Sequence, residues 1–362
     1  MKLYIAVDPG FDSMKVVANG KTFKFPFNVI ETNERKMNDY RLREDFMLLE
    51  RSDGSTYRVG QYAREQLYDN KQEINDFYTE QRFISAEFQV GLDTAIALAI
   101  EKNELYDSQA NLEIHLIVAL PHACRNLYAS TIIGAATGPH KFKLRCGRGE
   151  AKAYHFNIPE ANIHTVSQTI DNGAVNEDKF YYLSNGPTLV LDGGYYTMGM
   201  VVVSRGGTID EDRTESNTRF AMANVNAKVA EEIRKHRSDV NHYSIEYLLG
   251  KDSGSIRYME NGKAVTANIN EIRNRKMTEV CSELIEYLNA KYNNLLDFQY
   301  VLVTGGTGFN FYAQILQYYE DAGLMDPEHM MLTSGELEER RNPIEYAIAI
   351  GAYKGLKGIV NN

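Results

Sequence analysis

LVLDGGYYTMGMVVV, residues 189–203, decides how this sequence folds. Two apolar runs of the kind that build buried β-strands flank an acid, two glycines and two tyrosines, so a turn between core strands carries a carboxylate. The chain opens with a second version of the pattern, IAVDPGFDSMKVVA at residues 5–18. One such unit would be an ordinary tight turn. Two of them, each beginning one half of the chain, predict an internally duplicated α/β fold.

Outward from these hairpins, TFKFPFNVI reads as a third strand and the polar stretch from Glu31 to Glu44 as a long loop. RSDGSTYRVG reads as a hairpin turning at Asp53-Gly54. GQYAREQL and VGLDTAIALAIEKN carry helical spacing, and IHLIVALP is a buried strand ending at Pro121, with a helix after it. KFKLRCG and AKAYHF form a hairpin around Gly147 and Gly149, and ANIHTVSQTIDNGAVNEDKFYYL passes from a short strand into a helix. In the second half, ANVNAKVAEEIRKHR and MTEVCSELIEYLNAKYNNL are amphipathic helices around a polar insertion containing KDSGS and ENGKA. FQYVLVTGGTGFNF is a strand running into a glycine turn, and PIEYAIAIGAYKGL is a final helix with Pro343 near its start.

A chain of 362 residues predicts two domains, at about 100 to 200 residues each. The formal net charge of −10 argues against binding nucleic acid through the surface at large, which needs clustered Lys and Arg. Cys124, Cys146 and Cys281 are an odd number without metal-ligand spacing, which suits a reducing compartment and inert thiols. His115, His122, His155 and His164 have no ligand spacing either. MKLYIAVDPG runs directly into a core strand without a signal segment, and no run approaches the roughly 20 apolar residues of a membrane span. The expectation is a soluble cytoplasmic protein.

DPGFDSMK and DGGYYT place glycines directly after a core strand, where freed backbone N–H groups can bond phosphate oxygens. Asp8 and Asp192 end those strands. A carboxylate beside phosphates is repulsive unless a cation lies between, so the pair points to Mg²⁺ bound with a nucleoside triphosphate. Lys15, on the returning strand, would offset phosphate charge. TGGTGFNF, residues 304–311, follows strand YVLV and precedes a helix; lacking an acid and a Walker lysine it is no P-loop, and it is expected to hold the nucleoside, with Phe309 beside the base. Gln168, at the start of a helix in VSQTIDNG, could orient an attacking water without being a strong base. Taken singly, each turn reads first as a solvated β-turn, Gln168 as a helix-start residue and Lys15 as a surface lysine. The order of the four together is the specific feature.

In that order the segments resemble the actin-like ATPase superfamily, which also includes sugar kinases and heat-shock chaperones. IAVDPGFDSMK is similar to its first phosphate motif, VSQTIDNGA to its first connecting helix, LVLDGGYYT to its second phosphate motif, VLVTGGTGF to its adenosine motif and PIEYAIAIGAYKGL to its second connecting helix. The length, FPFNVI with the later STYRVGQYARE, and the VALP strand end look most like the ParM (StbA) plasmid-segregation actins.

The resemblance implies an actin-like duplicated, ribonuclease H-like fold closing on Mg-ATP (or Mg-GTP) between two domains. Residues 1–164 would form the first, with 343–362 returning to it and an accessory subdomain at about 30–90; residues 165–342 would form the second, with an insertion at about 206–285. It implies Asp8 and Asp192 as the residues organising Mg²⁺ and its waters, and Gln168 as the residue positioning the water. Gly10, Phe11, Asp12, Ser13, Lys15, Gly193, Gly194, Tyr195 and Thr197 would surround the phosphates, and Gly305, Gly306, Thr307 and Phe309 would approach the nucleoside. Lys228 and Glu232 are further candidates near the base. Phe11, Tyr195 and Tyr196 are bulky where relatives often carry small residues. The implied activity is ATP hydrolysis coupled to filament assembly, with plasmid DNA moved through a DNA-bound adaptor and no direct contact with nucleic acid or membrane. The competing readings are a small-molecule kinase of the sugar or acetate type and a chromosomal bacterial cytoskeletal actin.

Overall fold

The computed structural model describes residues 1–32, 44–69, 80–165, 186–235, 254–333, 335–337 and 340–361, with 240, 245–246 and 248–249. The chain divides into two compact units, Met1–Glu177 with Ser334–Asn362, and Asp178–Thr333.

In the first unit β1 (Lys2–Pro9) has a strand on each side and is mostly buried, because core clusters cover both its faces. It pairs antiparallel with β2 (Ser13–Ala18), which pairs with β3 (Lys21–Pro26). The segment TFKFPFNVI is thus two strands and not the single one its apolar pattern suggests. Pro26 has no N–H to continue the ladder, Phe27 turns inward to donate its N–H to Asp12 C=O at 3.0 Å, and β4 (Val29–Thr32) joins another sheet. That sheet has the order β4-β6-β5-β8-β9, taking in β5 (Met47–Arg51) and β6 (Thr56–Val59), the expected hairpin around Asp53-Gly54. Helices α1 (Gln61–Asp69), α2 (Ala86–Lys102) and α3 (His122–Ala136) come from the same half. Its remaining strands are β7 (Glu113–Leu120), the alternating hairpin β8 (Gly138–Cys146) and β9 (Lys152–Ile158), and β10 (Glu160–Thr165). Strands β7 and β10 run parallel to β1, completing a sheet of order β10-β7-β1-β2-β3.

The second unit repeats this arrangement. β11 (Thr188–Gly193) pairs antiparallel with β12 (Met198–Val203), which pairs with β13 (Glu215–Asn217). Helix α4 (Met222–Arg234) follows, then β14 (Ser255–Glu260) and β15 (Lys263–Asn268), joined through Asn261 and Gly262 at φ 49° and 75°. Read as a polar insertion, this stretch is a hairpin whose signal is its Asn-Gly turn. Helix α5 (Ile269–Lys291) is capped by the Asn268 side chain, and β16 (Tyr300–Thr304), α6 (Gly305–Asp321) and β17 (Met330–Leu332) complete the unit. Sheet order β13-β12-β11-β16-β17, with β16 and β17 parallel to β11, matches the first sheet strand for strand.

The chain then pairs β18 (Gly335–Leu337) with β19 (Arg340–Asn342) and ends in α7 (Ala347–Asn361). Strand periodicity sorts β1 between two cores: Ile5 and Val7 face one side with α2, while Ala6 faces Ile350 and Tyr353 of α7. Cys124 and Cys281 are buried and Cys146 is exposed, all three free. No helix of the described residues is long and apolar enough to cross a membrane.

Candidate functional site

The β1-β2 register sets Lys15 directly across from Asp8, and Lys15 Nζ lies 3.0 Å from Asp8 Oδ2. The turn between them closes on itself, Gly10 N–H donating to Asp8 C=O at 3.0 Å. A Cβ at Gly10 would stand 3.0 Å from Ser13 O and 3.3 Å from Lys15 Nζ, so the turn leaves little room for a side chain there. Asp12 is bound differently from Asp8: Arg64 of α1 donates from Nη2 to both its backbone and carboxylate oxygens at 2.7 Å. Ser13 is buried, and Phe11 lies flat against the guanidinium of Arg82, 3.7 Å from ring centroid to Cζ. The bulk of Phe11 therefore has a local partner, which its sequence neighbours do not reveal.

In the second unit Asp192 stands across from Gly199 and beside Thr304, so this hairpin has no counterpart of Lys15 in its facing position. Gly194 N–H donates to Thr197 C=O at 2.8 Å, and Thr307 Oγ1 donates to Gly194 C=O at 2.7 Å. The turn and the first turn of α6 are thus one backbone unit. Gly305, at φ 77°, brings α6 so close that an added Cβ would lie 2.4 Å from Gly193 O, and one at Gly193 would lie 2.1 Å from Gly308 N. A Cβ at Gly306 would meet nothing within 4 Å, and Phe309 is 55 % exposed. Thr304 Oγ1, fully buried at the N-cap of α6, has no hydrogen-bond partner among the described residues.

Tyr195 is built into the wall of its unit. Its carbonyl accepts from Ala223 N–H at 2.7 Å, and its hydroxyl accepts from Asn226 Nδ2 at 3.4 Å. Asn226, buried in α4, also donates to Glu246 Oε1 at 2.8 Å, which Arg273 of α5 holds at the same distance. Sequence reading missed Asn226, since a polar residue within an amphipathic helix reads as its solvated face. Lys228 and Glu232 are engaged with α5: Lys228 Nζ lies 2.5 Å from Glu283 Oε1, and Glu232 accepts from Arg275. The Lys228 hydrogen bond outweighs desolvation and, with Arg219, holds Glu283 below the usual carboxylate range. Gln168 lies outside the described residues.

Taken unit by unit, these residues have the chemistry to receive phosphate oxygens and an accompanying Mg²⁺. Carboxylates end two equivalent strands, a lysine faces one of them, and α6 begins at a glycine-rich N-terminus with an orphaned hydroxyl. Among the described residues no three His, Cys, Asp or Glu side chains gather to hold a metal. Mg²⁺ commonly takes few protein carboxylates and fills its coordination with phosphate and water.

Two sheets of one strand order, each led by an acid-glycine hairpin, define the actin-like fold, and the chain has it. Residues 6–168 match the family described as the actin-like proteins' N-terminal domain. Among solved structures the chain is similar to ParM: a non-polymerisable quadruple mutant of pCBH ParM aligns with a TM-score of 0.71 at 17 % identity over 99 % of this chain and 100 % of that one. A 15-stranded ParM filament from Clostridium botulinum gives 0.70 at 15 % identity, covering 99 % of each chain. The archaeal actin homolog Ta0583, in complex with ADP, gives 0.64 at 16 % identity, again over 99 % of each. No curated protein matches the sequence.

Proposed function

We propose that the protein is an ATPase that assembles into filaments with Mg-ATP and moves plasmid DNA through a DNA-bound adaptor. The observation that carries this reading is the pair of acid-glycine hairpins, led by Asp8 and Asp192, at equivalent places in two sheets of identical order. Asp8 and Asp192 are assigned to Mg²⁺ and its waters, and the cation would neutralise charge between the phosphates. Lys15 offsets phosphate charge, the Gly10 and Gly193-Gly194 turns offer backbone N–H groups, and the N-terminus of α6 takes the nucleoside. Gln168 orients the attacking water as a neutral hydrogen-bonding group. The ADP complex of the archaeal actin homolog and the ParM filament support the nucleotide and the self-assembly respectively. A net charge of −10 leaves DNA contact to the adaptor.

Light scattering and pelleting of purified protein with Mg²⁺ and ATP, GTP, ADP or a non-hydrolysable ATP analogue test this. Assembly with the triphosphate, decaying as phosphate is released, is expected. Tight ATP binding without assembly at any salt or protein concentration would transfer the case to a small-molecule kinase. In assembled filaments Gln168→Ala is expected to slow phosphate release at least tenfold, the effect of about 1.4 kcal/mol on a barrier. Unchanged release removes Gln168 from the mechanism.

A further inference from the structure

Arg82 lies in a 3-10 turn, Glu80–Ile84, within the polar stretch leading to α2, and only 2 % of it is exposed. Its guanidinium donates from Nη2 to Pro9 C=O and from Nη1 to Gly10 C=O, the latter at 3.1 Å. The same group is walled by aromatic rings, with Cζ 3.7 Å from the centroid of Phe11, 4.7 Å from Phe83 and 5.6 Å from Phe27. A buried cation is therefore fixed to two consecutive carbonyls of the Asp8-Lys15 turn.

The consequence follows from peptide geometry. A trans peptide is planar with its C=O and N–H pointing in opposite directions, and no cis peptide occurs among the described residues. Holding Gly10 C=O on Arg82 therefore turns the Phe11 N–H away from the guanidinium. Holding Pro9 C=O likewise fixes Gly10 N–H, which donates to Asp8 C=O. Glycine at position 10 loosens both peptides it joins, through its φ for Pro9–Gly10 and its ψ for Gly10–Phe11, because it has no Cβ. The ion-dipole bonds and ring stacking oppose their rotation.

We propose that Arg82 is a positioning residue for the first phosphate turn, holding the Pro9 and Gly10 carbonyls and with them the shape of the turn that meets the anionic ligand. This rests on the nucleotide-binding reading above. Phe11 is then the lid of the guanidinium, which accounts for a large side chain in a turn where small ones would pass.

The test measures Mg-ATP affinity by competition against a fluorescent methylanthraniloyl-ATP probe, in full-length protein whose folding is checked by circular dichroism. Arg82→Met keeps the length and apolar stem but removes the donors, and affinity is expected to fall roughly tenfold, as for loss of hydrogen bonds to a charged group. Arg82→Lys keeps a cation that reaches the same carbonyls and is expected to stay within about threefold of wild type. A purely space-filling role would be met by Met as well as by Lys, so this ordering separates the two. Should Arg82→Met not fold, Phe11→Leu removes the ring and leaves the carbonyl bonds, and a loss of about threefold is expected. Wild-type affinity in Arg82→Met, or in Phe11→Leu where it is the variant used, overturns the assignment, as does Arg82→Lys binding as weakly as Arg82→Met. Wild-type protein that binds no Mg-ATP overturns the nucleotide reading together with this one; wild-type binding with an indifferent Arg82 overturns this one alone.

Discussion

Replacing Gly193 by alanine is expected to cost about 3 kcal/mol of stability, the upper end of what forcing a methyl into close-packed structure requires. The new Cβ would lie 2.1 Å from Gly308 N, 2.7 Å from Gly308 Cα and 2.9 Å from Thr307 C. All three are backbone atoms of α6, so no side chain can swing aside. The helix must retreat from β11, breaking the bond from Thr307 Oγ1 to Gly194 C=O. Gly305→Ala should cost a similar amount by two routes. At φ 77° an L-residue is disfavoured by about 1–2 kcal/mol, and its Cβ would meet Gly193 O at 2.4 Å. Gly306→Ala is the control: nothing lies within 4 Å of its Cβ and its φ is not positive, so a change within about 0.5 kcal/mol is expected. At about 2–4 °C per kcal/mol for a unit of this size, the first two variants should melt roughly 6–12 °C lower. Thermal unfolding followed by circular dichroism checks this, and equal melting of all three glycine variants would sink it.

The contrast among these glycines marks how far the sequence could be read. DGGYYT announces a turn after a core strand and lies there; TGGTGF marks the end of a strand, but the glycines read as a turn are already the first turn of α6, which begins at Gly305. Nothing local says that the Gly193 turn rests on the Gly305-Gly308 turn, because that contact joins residues more than a hundred positions apart. That Lys15 returns on the strand after Asp8 was legible, whereas its place directly across from Asp8 is set by the strand register. Arg82 was not legible. It sits in a polar stretch with no periodicity, and its burial depends on Phe11 and Phe27, which are distant in sequence. The division of TFKFPFNVI between two sheets was hidden for a related reason: apolar alternation continues through Pro26, and only the missing N–H and the bond to Asp12 show where the ladder ends. Local chemistry was visible wherever one segment contained it, and lost wherever two distant segments had to meet.

His140 is such a meeting, and it predicts a pH dependence. Its Nδ1 lies 2.7 Å from Asp93 Oδ1 of α2 and its Nε2 lies 3.0 Å from Ala136 C=O at the end of α3. Both partners only accept, so satisfying both ring nitrogens requires both N–H groups, which is the imidazolium form. Phe156 of β9 stacks on the ring at 5.2 Å between centroids. Burial works against the charge and Arg51 of β5 opposes it. The hydrogen bond and attraction from Asp93, with the Ala136 carbonyl, outweigh both and raise the His140 pKa above its ordinary 6.5. Since the folded value is the higher one, the stabilisation is complete below about pH 6.5 and is lost as pH rises through the folded pKa. Asp93→Ala at pH 6 leaves a buried charge without its counterion, and a loss of about 3–5 kcal/mol is expected. At pH 9 the imidazole is closer to neutral and the pair worth less, so the same substitution should cost visibly less. Urea unfolding of wild type and Asp93→Ala at the two pH values isolates the pair, because other titrating groups cancel in the difference. A penalty identical at pH 6 and pH 9 would mean that His140 does not change its protonation between them, and would overturn this pH dependence.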